Sequence, residues 1–277
     1  MSYPNPFRRS FRRIRRCTMV IVALLLPRIA LHAQAHDDDD HDHDHLHFSH
    51  PLVTESPTPD TKIRADYVFS WINEDPAVRE TTIRVEGEYA FTHAISLAVV
   101  APYTFRTAPS TDRASGIGNL EVSVKAASLR YGERGILIGG GLSAGIPTGS
   151  DTKGIGSSHD LELEPFLDVG YKKEKLEVVG FASVASTLNR RAGEEVERKL
   201  GFDFSTLYAI HPRLEALIEF TTERPLVGLD RRFASFVAPG VKIYPFHNRQ
   251  LMFGTSVELG VGANEERAVL VSGFYHF

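Results

Sequence analysis

Apolar and polar residues alternate strictly along most of the chain after Lys62. In the first such segment the two sets are Ile63, Ala65, Tyr67, Phe69 and Trp71 on one side and Arg64, Asp66 and Ser70 on the other. This period of two is typical of β-strands with two unlike faces. It predicts twelve strands, which begin at Lys62 and continue near 82–91, 95–105, 117–129, 136–147, 159–171, 176–187, 198–210, 214–222, 233–244, 250–262 and 268–277.

The predicted connections alternate in length. Short turns are expected at 92–94, 131–135, 172–175, 211–213 and 245–249, and longer polar loops at 107–116, 148–158, 188–197 and 223–232. Outer-membrane barrels have this asymmetry, with short periplasmic turns and longer external loops. We therefore predict an all-β fold, a closed antiparallel up-and-down transmembrane β-barrel of about 12 strands at 62–277, whose strands of ~10 residues can cross the hydrocarbon layer.

A soluble periplasmic β-sandwich or lipocalin-like barrel would also alternate, with its apolar side turned inward. Aromatic residues near the strand ends favour the opposite orientation, with interfacial girdles on an outward apolar face. These residues are Phe69, Tyr89, Tyr103, Phe105, Tyr171, Tyr208 and Tyr244. The chain ends on Gly273, Tyr275 and Phe277, a pattern similar to the signal recognised by the outer-membrane assembly machinery. That machinery and outer-membrane lipid are the expected partners.

Residues 1–35 have the features of a cleaved signal peptide. They contain seven arginines and no acid, an apolar run from Met19 to Leu26, and Ala33-Gln34-Ala35 as the cleavage motif. The run is much shorter than the roughly 18 residues that span a bilayer. The only cysteine, Cys17, lies in this segment, so we expect no disulfide and no lipid anchor in the mature chain.

The mature chain is predicted to begin at His36 and to be strongly acidic. Without the seven arginines, 24 basic residues remain against 35 acidic ones, a net charge of about −11. This charge makes nucleic acid an unfavourable partner.

Residues 36–61 have no apolar period, and they predict a disordered, His/Asp-rich tether. An even strand number places this tether in the periplasm. Its candidate metal ligands are His36, His41, His43, His45, His47 and His50 with Asp40, Asp42 and Asp44, in a run that also contains Asp37–Asp39. Imidazole and carboxylate suit divalent Zn, Ni, Co or Cu. The alternative is a solvated acidic spacer, and no cofactor is otherwise required.

The strand phase predicts an acidic lumen. The expected lining acids are Asp66, Glu86, Glu88, Glu121, Glu162, Glu164, Asp168, Asp203, Glu215, Glu219 and Glu258, and the bases are Arg64, Arg84, Arg106, Lys125, Lys199 and Lys242. A water-filled pore of this kind would favour cations. Alternatively, the charges pair across strands and close a narrow barrel.

Two stretches resemble a known family: Gly116-Ile117-Gly118-Asn119-Leu120-Glu121-Val122 leading to Lys125, and Gly141-Leu142-Ser143-Ala144-Gly145-Ile146-Pro147-Thr148-Gly149, followed by Pro165, Val169, Gly170 and Tyr171. Together they are similar to the outer-membrane transporter family named after a phenol-degradation (meta) pathway. The resemblance covers most of 62–277 and implies a barrel that passes small molecules. It supplies no catalytic residues.

An enzyme is the other class to consider, because Ser157-Ser158-His159-Asp160 contains a hydroxyl, an imidazole and a carboxylate close together. Adjacent residues on a strand point to opposite faces, so these consecutive residues are predicted not to form a triad. We therefore predict a non-enzymatic channel or transporter for small solutes with a periplasmic metal-binding tract. The alternatives are uptake of hydrophobic or aromatic compounds without a metal role, and a non-conducting structural or sensory barrel.

Overall fold

A computed structural model describes residues 46–72, 78–108, 111–131, 134–188, 198–227, 233–262 and 266–277. The strands are β1 (Lys62–Ile72), β2 (Val78–Thr92), β3 (Ile95–Ala108), β4 (Thr111–Ile117), β5 (Leu120–Tyr131), β6 (Ile136–Ile146), β7 (Glu162–Lys173), β8 (Leu176–Thr187), β9 (Arg198–His211), β10 (Leu214–Pro225), β11 (Ala234–Ile243), β12 (Leu251–Val261) and β13 (Arg267–His276). A single turn of 3-10 helix, Asp151–Lys153, lies between β6 and β7.

The strands form one closed antiparallel barrel. Closure is made by β1 and β13, which pair from Lys62 with His276 to Trp71 with Arg267. Both β4 and β5 pair with β3, and Gly118–Asn119 separates them, so the two are successive parts of one barrel strand. The barrel therefore has twelve strands, and the predicted fold is confirmed.

Several predicted boundaries were wrong, among them the start of the second strand, which is Val78 and not near 82. The loop expected at 107–116 is mostly strand, because β3 continues to Ala108 and β4 begins at Thr111. The strand prediction depended on alternating apolar residues, and this stretch is mostly polar. Its backbone nevertheless continues the pairing of the two strands. The strand expected from 159 begins instead at Glu162, because the residues before it form a turn.

The barrel is apolar outside and charged inside. In β1, Ile63 and Tyr67 are 48% and 47% exposed, whereas Arg64 and Asp66 are 5% and 2% exposed. A soluble barrel has the reverse arrangement, and an apolar outer band is what a barrel in lipid requires.

No helix in the described part of the chain has the length and apolar character needed to cross a membrane.

Most of the predicted girdle residues lie on the outer face, but Tyr244 does not. Tyr89, Phe105 and Tyr208 are about half exposed, and Tyr244 is only 6% exposed. Strand β11 ends at Ile243, and the chain then turns, so the alternation no longer applies. The Tyr244 hydroxyl donates a hydrogen bond to Glu215 at 2.9 Å on the inner face.

Residues 46–61, which we call the plug, lie inside the barrel. Phe48 and Leu52 are 0% and 1% exposed, and Thr54 and Ser56 are each 1% exposed. The prediction of a disordered tether is therefore wrong for 46–61. These residues have no regular strand or helix, but wall side chains bind their backbone. Residues 36–45 lie outside the described residues, as does the predicted signal peptide at 1–35.

Candidate functional site: the lumen and its plug

Apolar residues of the plug contact two parts of the inner wall. Phe48 packs against Ala127, Leu137 and Val179, which belong to β5, β6 and β8. Leu52 packs in a second cluster, with Leu207, Leu217, Tyr244, Met252, Leu270 and Phe274 from the β9–β13 side. The plug thus bridges the lumen from one side to the other.

Glycines in the wall leave room for these two side chains. A Cβ at Gly170 would lie 2.6 Å from Phe48 Cζ, and a Cβ at Gly254 would lie 2.4 Å from Leu52 Cδ2. Neither distance is compatible with a larger residue unless the plug moves.

Glu219, in the middle of β10, is the main polar anchor of the plug. Its carboxylate is fully buried and accepts hydrogen bonds from three consecutive backbone N–H groups. Leu52 N donates at 3.2 Å, Val53 N at 3.0 Å to both oxygens, and Thr54 N at 2.8 Å. In its ionised form, this carboxylate accepts stronger hydrogen bonds than a neutral acceptor would.

Other wall residues bind the same stretch of backbone. Glu177 accepts a hydrogen bond from Ser49 N at 2.7 Å, and Lys242 Nζ donates to His50 O at 3.1 Å. Arg64 donates to Leu52 O. The lumen side chains therefore replace the hydrogen bonds that a secondary structure would have supplied to the plug.

Above the plug, toward the ends of the strands that meet the long loops, the lumen contains a cavity of about 120 Å³. We call this cavity the vestibule. Its floor is formed by Leu52 and Val53, and its wall includes Asp66, Arg84 and Glu258. The vestibule thus lies on the loop side of the plug, and the plug fills the lumen toward the turn side.

The structure places the predicted lining residues on the inner face. Buried there are Arg64, Asp66, Glu86, Glu88, Lys125, Asp168, Asp203, Glu215, Glu219 and Lys242, and partly exposed are Arg84, Arg106, Glu121, Glu162, Glu164, Lys199 and Glu258. Sequence reasoning omitted Lys62, Glu177 and Glu223, although the same alternation along β1, β8 and β10 could have found them.

Many lumen charges are paired at the level of the plug. Lys62 Nζ lies 2.5 Å from Glu88 and 3.2 Å from Glu86, and Lys125 Nζ lies 2.7 Å from Glu55. The carboxylates of Glu55, Glu86 and Glu88 converge, but the two ammonium groups already contact them. This group is therefore an ion-pair network.

Three imidazoles converge on one carboxylate at the turn end of the barrel. Asp60 Oδ2 lies 2.9 Å from His47 Nε2, 2.9 Å from His50 Nε2 and 3.1 Å from His276 Nδ1. Although burial acts to raise it, hydrogen bonds from the three histidines hold the pKa of Asp60 well below its usual value. Burial, together with the charge of Lys62, lowers the pKa of His50 well below the ordinary histidine value.

Only two predicted metal ligands are in the described residues, His47 and His50. The others, His36, His41, His43, His45, Asp40, Asp42 and Asp44, lie outside them. Sequence reasoning missed Asp60 and His276, which are 216 residues apart and which only barrel closure brings together.

The Ser-His-Asp group forms a turn in the β6–β7 loop. Ser157 Oγ lies 3.4 Å from His159 Nδ1, and His159 Nε2 lies 3.2 Å from Asp160 Oδ1. The strand argument against a triad was therefore wrong, because these residues precede β7. Ser157 is nevertheless only 2% exposed, and its Oγ accepts hydrogen bonds from the N–H groups of His159 and Asp160. These contacts are those of a structural turn residue.

The C-terminal residues lie at the closing edge of the barrel. Tyr275 and Phe277 are exposed on the outer face with their ring centroids 5.0 Å apart, and Phe277 N donates to Thr61 O at 3.1 Å. Gly273 pairs with Ala65 of β1. Their role as an assembly signal stays a prediction.

No family profile and no curated protein matches the chain. Among solved structures, it is similar to an outer membrane channel from Pseudomonas putida F1, with a TM-score of 0.61 and 12% identity over 79% of this chain and 96% of that one. It is also similar to the NanC porin, with a TM-score of 0.54 and 10% identity over 78% of this chain and 100% of that one. A third similar structure is the translocator domain of the autotransporter NalP from Neisseria meningitidis. Its TM-score is 0.53 and its identity is 11%, over 78% of this chain and 88% of that one. At these identities the similarity shows the fold.

Proposed function

We propose that the protein is an outer-membrane channel for small solutes and that the plug is its gate. Its fold is that of outer-membrane barrels, and two of the similar structures are described as a porin and an outer membrane channel. The apolar outer face fits a lipid environment, and a signal peptide at 1–35 would supply the export step. The vestibule provides space for a small solute on the loop side of the plug.

The observation that carries the proposal is the way in which the plug is held. No residue from 46 to 60 belongs to the ladder of strands, so displacing the plug breaks no hydrogen bond of the barrel wall. The plug is joined covalently to the wall only where Thr61 enters β1. Water can replace its contacts with Glu219, Glu177 and Lys242, because all three are hydrophilic side chains.

The open lumen should favour cations. Among the described residues, the buried charged side chains other than those of the plug include nine acids and four bases. Displacing the plug would leave the Glu177 and Glu219 carboxylates facing water without their backbone donors. A confined acidic surface of this kind raises the local concentration of cations.

Planar bilayer recording tests this proposal. The chain from His36 onward is compared with the same chain lacking 46–59. This deletion removes all of the plug except Asp60 and Thr61, so the bond between Thr61 and Phe277 is kept. We expect rare or partial openings for the first and a stable open current for the second. In a KCl gradient, the reversal potential of the shortened chain should show a preference for K⁺.

Two results would contradict the proposal. A shortened chain that folds, as judged by its β-sheet circular dichroism, but passes no current would exclude a channel of this lumen. Equal open currents from both chains would exclude the plug as the gate.

A further inference from the structure

Asp60 and the three histidines come from three separate parts of the chain. His47 and His50 lie in the first part of the plug, Asp60 lies near its end, and His276 is the last residue of β13. The ligand atoms of His47, His50 and Asp60 all lie within 4.8 Å of one another. His276 completes the group from the barrel wall through its contact with the same Asp60 oxygen.

We propose that His47, His50, Asp60 and His276 bind one divalent transition-metal ion of the Zn²⁺ or Co²⁺ class at the periplasmic mouth of the barrel. Three imidazole nitrogens and one carboxylate oxygen form a set that these ions accept in tetrahedral geometry. The site differs from the expected His/Asp tract, because two of its four ligands lie outside that tract.

Three of the four proposed ligand atoms, those of His47, His50 and Asp60, already have a spacing that suits an ion. Ligand bonds of about 2.0–2.1 Å in a tetrahedron place neighbouring ligand atoms about 3.3–3.4 Å apart. The present separations from Asp60 Oδ2 are 2.9, 2.9 and 3.1 Å. The separations of the imidazole nitrogens from Asp60 therefore have to grow by only a few tenths of an ångström. His276 also has to move toward His47 and His50, because its ligand atom is not within 4.8 Å of all three others.

Neighbouring groups orient the most buried ligand, His50. Its ring stacks on Phe274 at 6.1 Å and on His276 at 5.3 Å between centroids, and its Nδ1 lies 3.2 Å from Lys62 Nζ. When an ion binds Nε2, the ring proton belongs on Nδ1, and Lys62 turns fully to Glu86 and Glu88. These two carboxylates already contact its ammonium group.

The site is accessible from the turn side of the barrel. The His47 side chain is 54% exposed, while that of His50 is 4% exposed. An ion can therefore enter beside His47 and be held against the buried His50. The four histidines that precede it in the sequence, at 36–45, are suitable to collect such ions.

The bound ion would fasten the plug in place. It would join both ends of the plug to each other and to β13, so displacing the plug would require loss of the His276 bond. This consequence rests on the proposed gating function, but ion binding itself does not. Extracting the ion would then make the channel easier to open.

The binding experiment uses Co²⁺, whose visible absorption reports tetrahedral coordination. The protein used is the refolded chain from His36 onward, with His36, His41, His43 and His45 changed to Ala. These changes remove the histidines of the preceding tract, so that the titration reports the proposed site. We expect one Co²⁺ per chain with tetrahedral bands, and displacement of these bands by Zn²⁺. His47→Ala, Asp60→Asn and His276→Ala should each weaken binding by at least about tenfold.

The matched control is His211→Ala, which removes a histidine of the same barrel end that is not part of the group. It should bind Co²⁺ unchanged. Unchanged binding by His276→Ala, or the absence of tetrahedral bands in the starting chain, would overturn the proposed site. The titration needs no ion current, so its failure is distinct from a failure of the channel.

Discussion

Glu219→Gln should release the plug while leaving the barrel intact. The variant keeps the volume of the side chain and one acceptor oxygen, but it removes the charge and places an NH₂ group where the second oxygen was. Glu219 Oε2 now accepts from Leu52 N at 3.2 Å and from Val53 N at 3.0 Å. In the variant, one of these N–H groups faces another donor in a buried position.

The magnitude follows from the three donors. A hydrogen bond to a charged group contributes about 1.5–3 kcal/mol, and a buried donor left unsatisfied costs about 1–3 kcal/mol. Since the glutamine retains one acceptor, we expect a loss of about 2–3 kcal/mol in plug docking. At 1.4 kcal/mol per factor of ten, the ratio of displaced to docked plug rises roughly 30- to 150-fold.

Single-channel recording measures this ratio as the open fraction. The matched control is Glu223→Gln, which removes the same charge from the same face of the same strand, at the wall of the vestibule. It should leave the open fraction near that of the unchanged chain. An open fraction for Glu219→Gln that equals that of the control would refute the assignment of Glu219 as the plug anchor.

Two further substitutions act on the packing of the plug. Phe48→Ala removes a fully buried ring, which typically costs about 3–5 kcal/mol. The open fraction should therefore rise, while the β-sheet content of the barrel stays unchanged. An unaltered open fraction would mean that the ring does not hold the plug. Gly254→Ala places a Cβ 2.4 Å from Leu52 Cδ2 and should also favour the open state. Its control is Gly180→Ala, where the atom nearest to the new Cβ lies 4.0 Å away and the open fraction should not change. Equal open fractions for the two variants would argue against steric displacement of the plug.

The barrel could be predicted from the sequence because the alternation of apolar and polar residues within each strand identifies its two faces. In β1, the alternation of Ile63 and Tyr67 with Arg64 and Asp66 is local, and it determines which side chains meet lipid and which meet the lumen. The same alternation applies wherever a strand continues. It fails at Tyr244, where β11 has ended and the direction of the side chain depends on the following turn.

The plug could not be predicted from the same pattern. Its backbone donors are satisfied by Glu219, about 165 positions along the chain, rather than by neighbours in a strand. A segment with prolines and no period therefore has the composition of a disordered one, although Phe48 and Leu52 provide two buried anchors. The Asp60–His276 contact likewise depends on closure of the whole barrel.

A reversible cross-link tests the gating account most directly. Leu52 Cγ lies 3.3 Å from the Cβ position at Gly254, so cysteines at both positions would have their Cβ atoms within about 4.8 Å, near the range of a disulfide. The chain from His36 onward with Leu52→Cys and Gly254→Cys contains no other cysteine. We predict no ion current from the oxidised form and restored openings after reduction, whereas equal currents in both forms would contradict the claim that the plug must leave for solutes to pass.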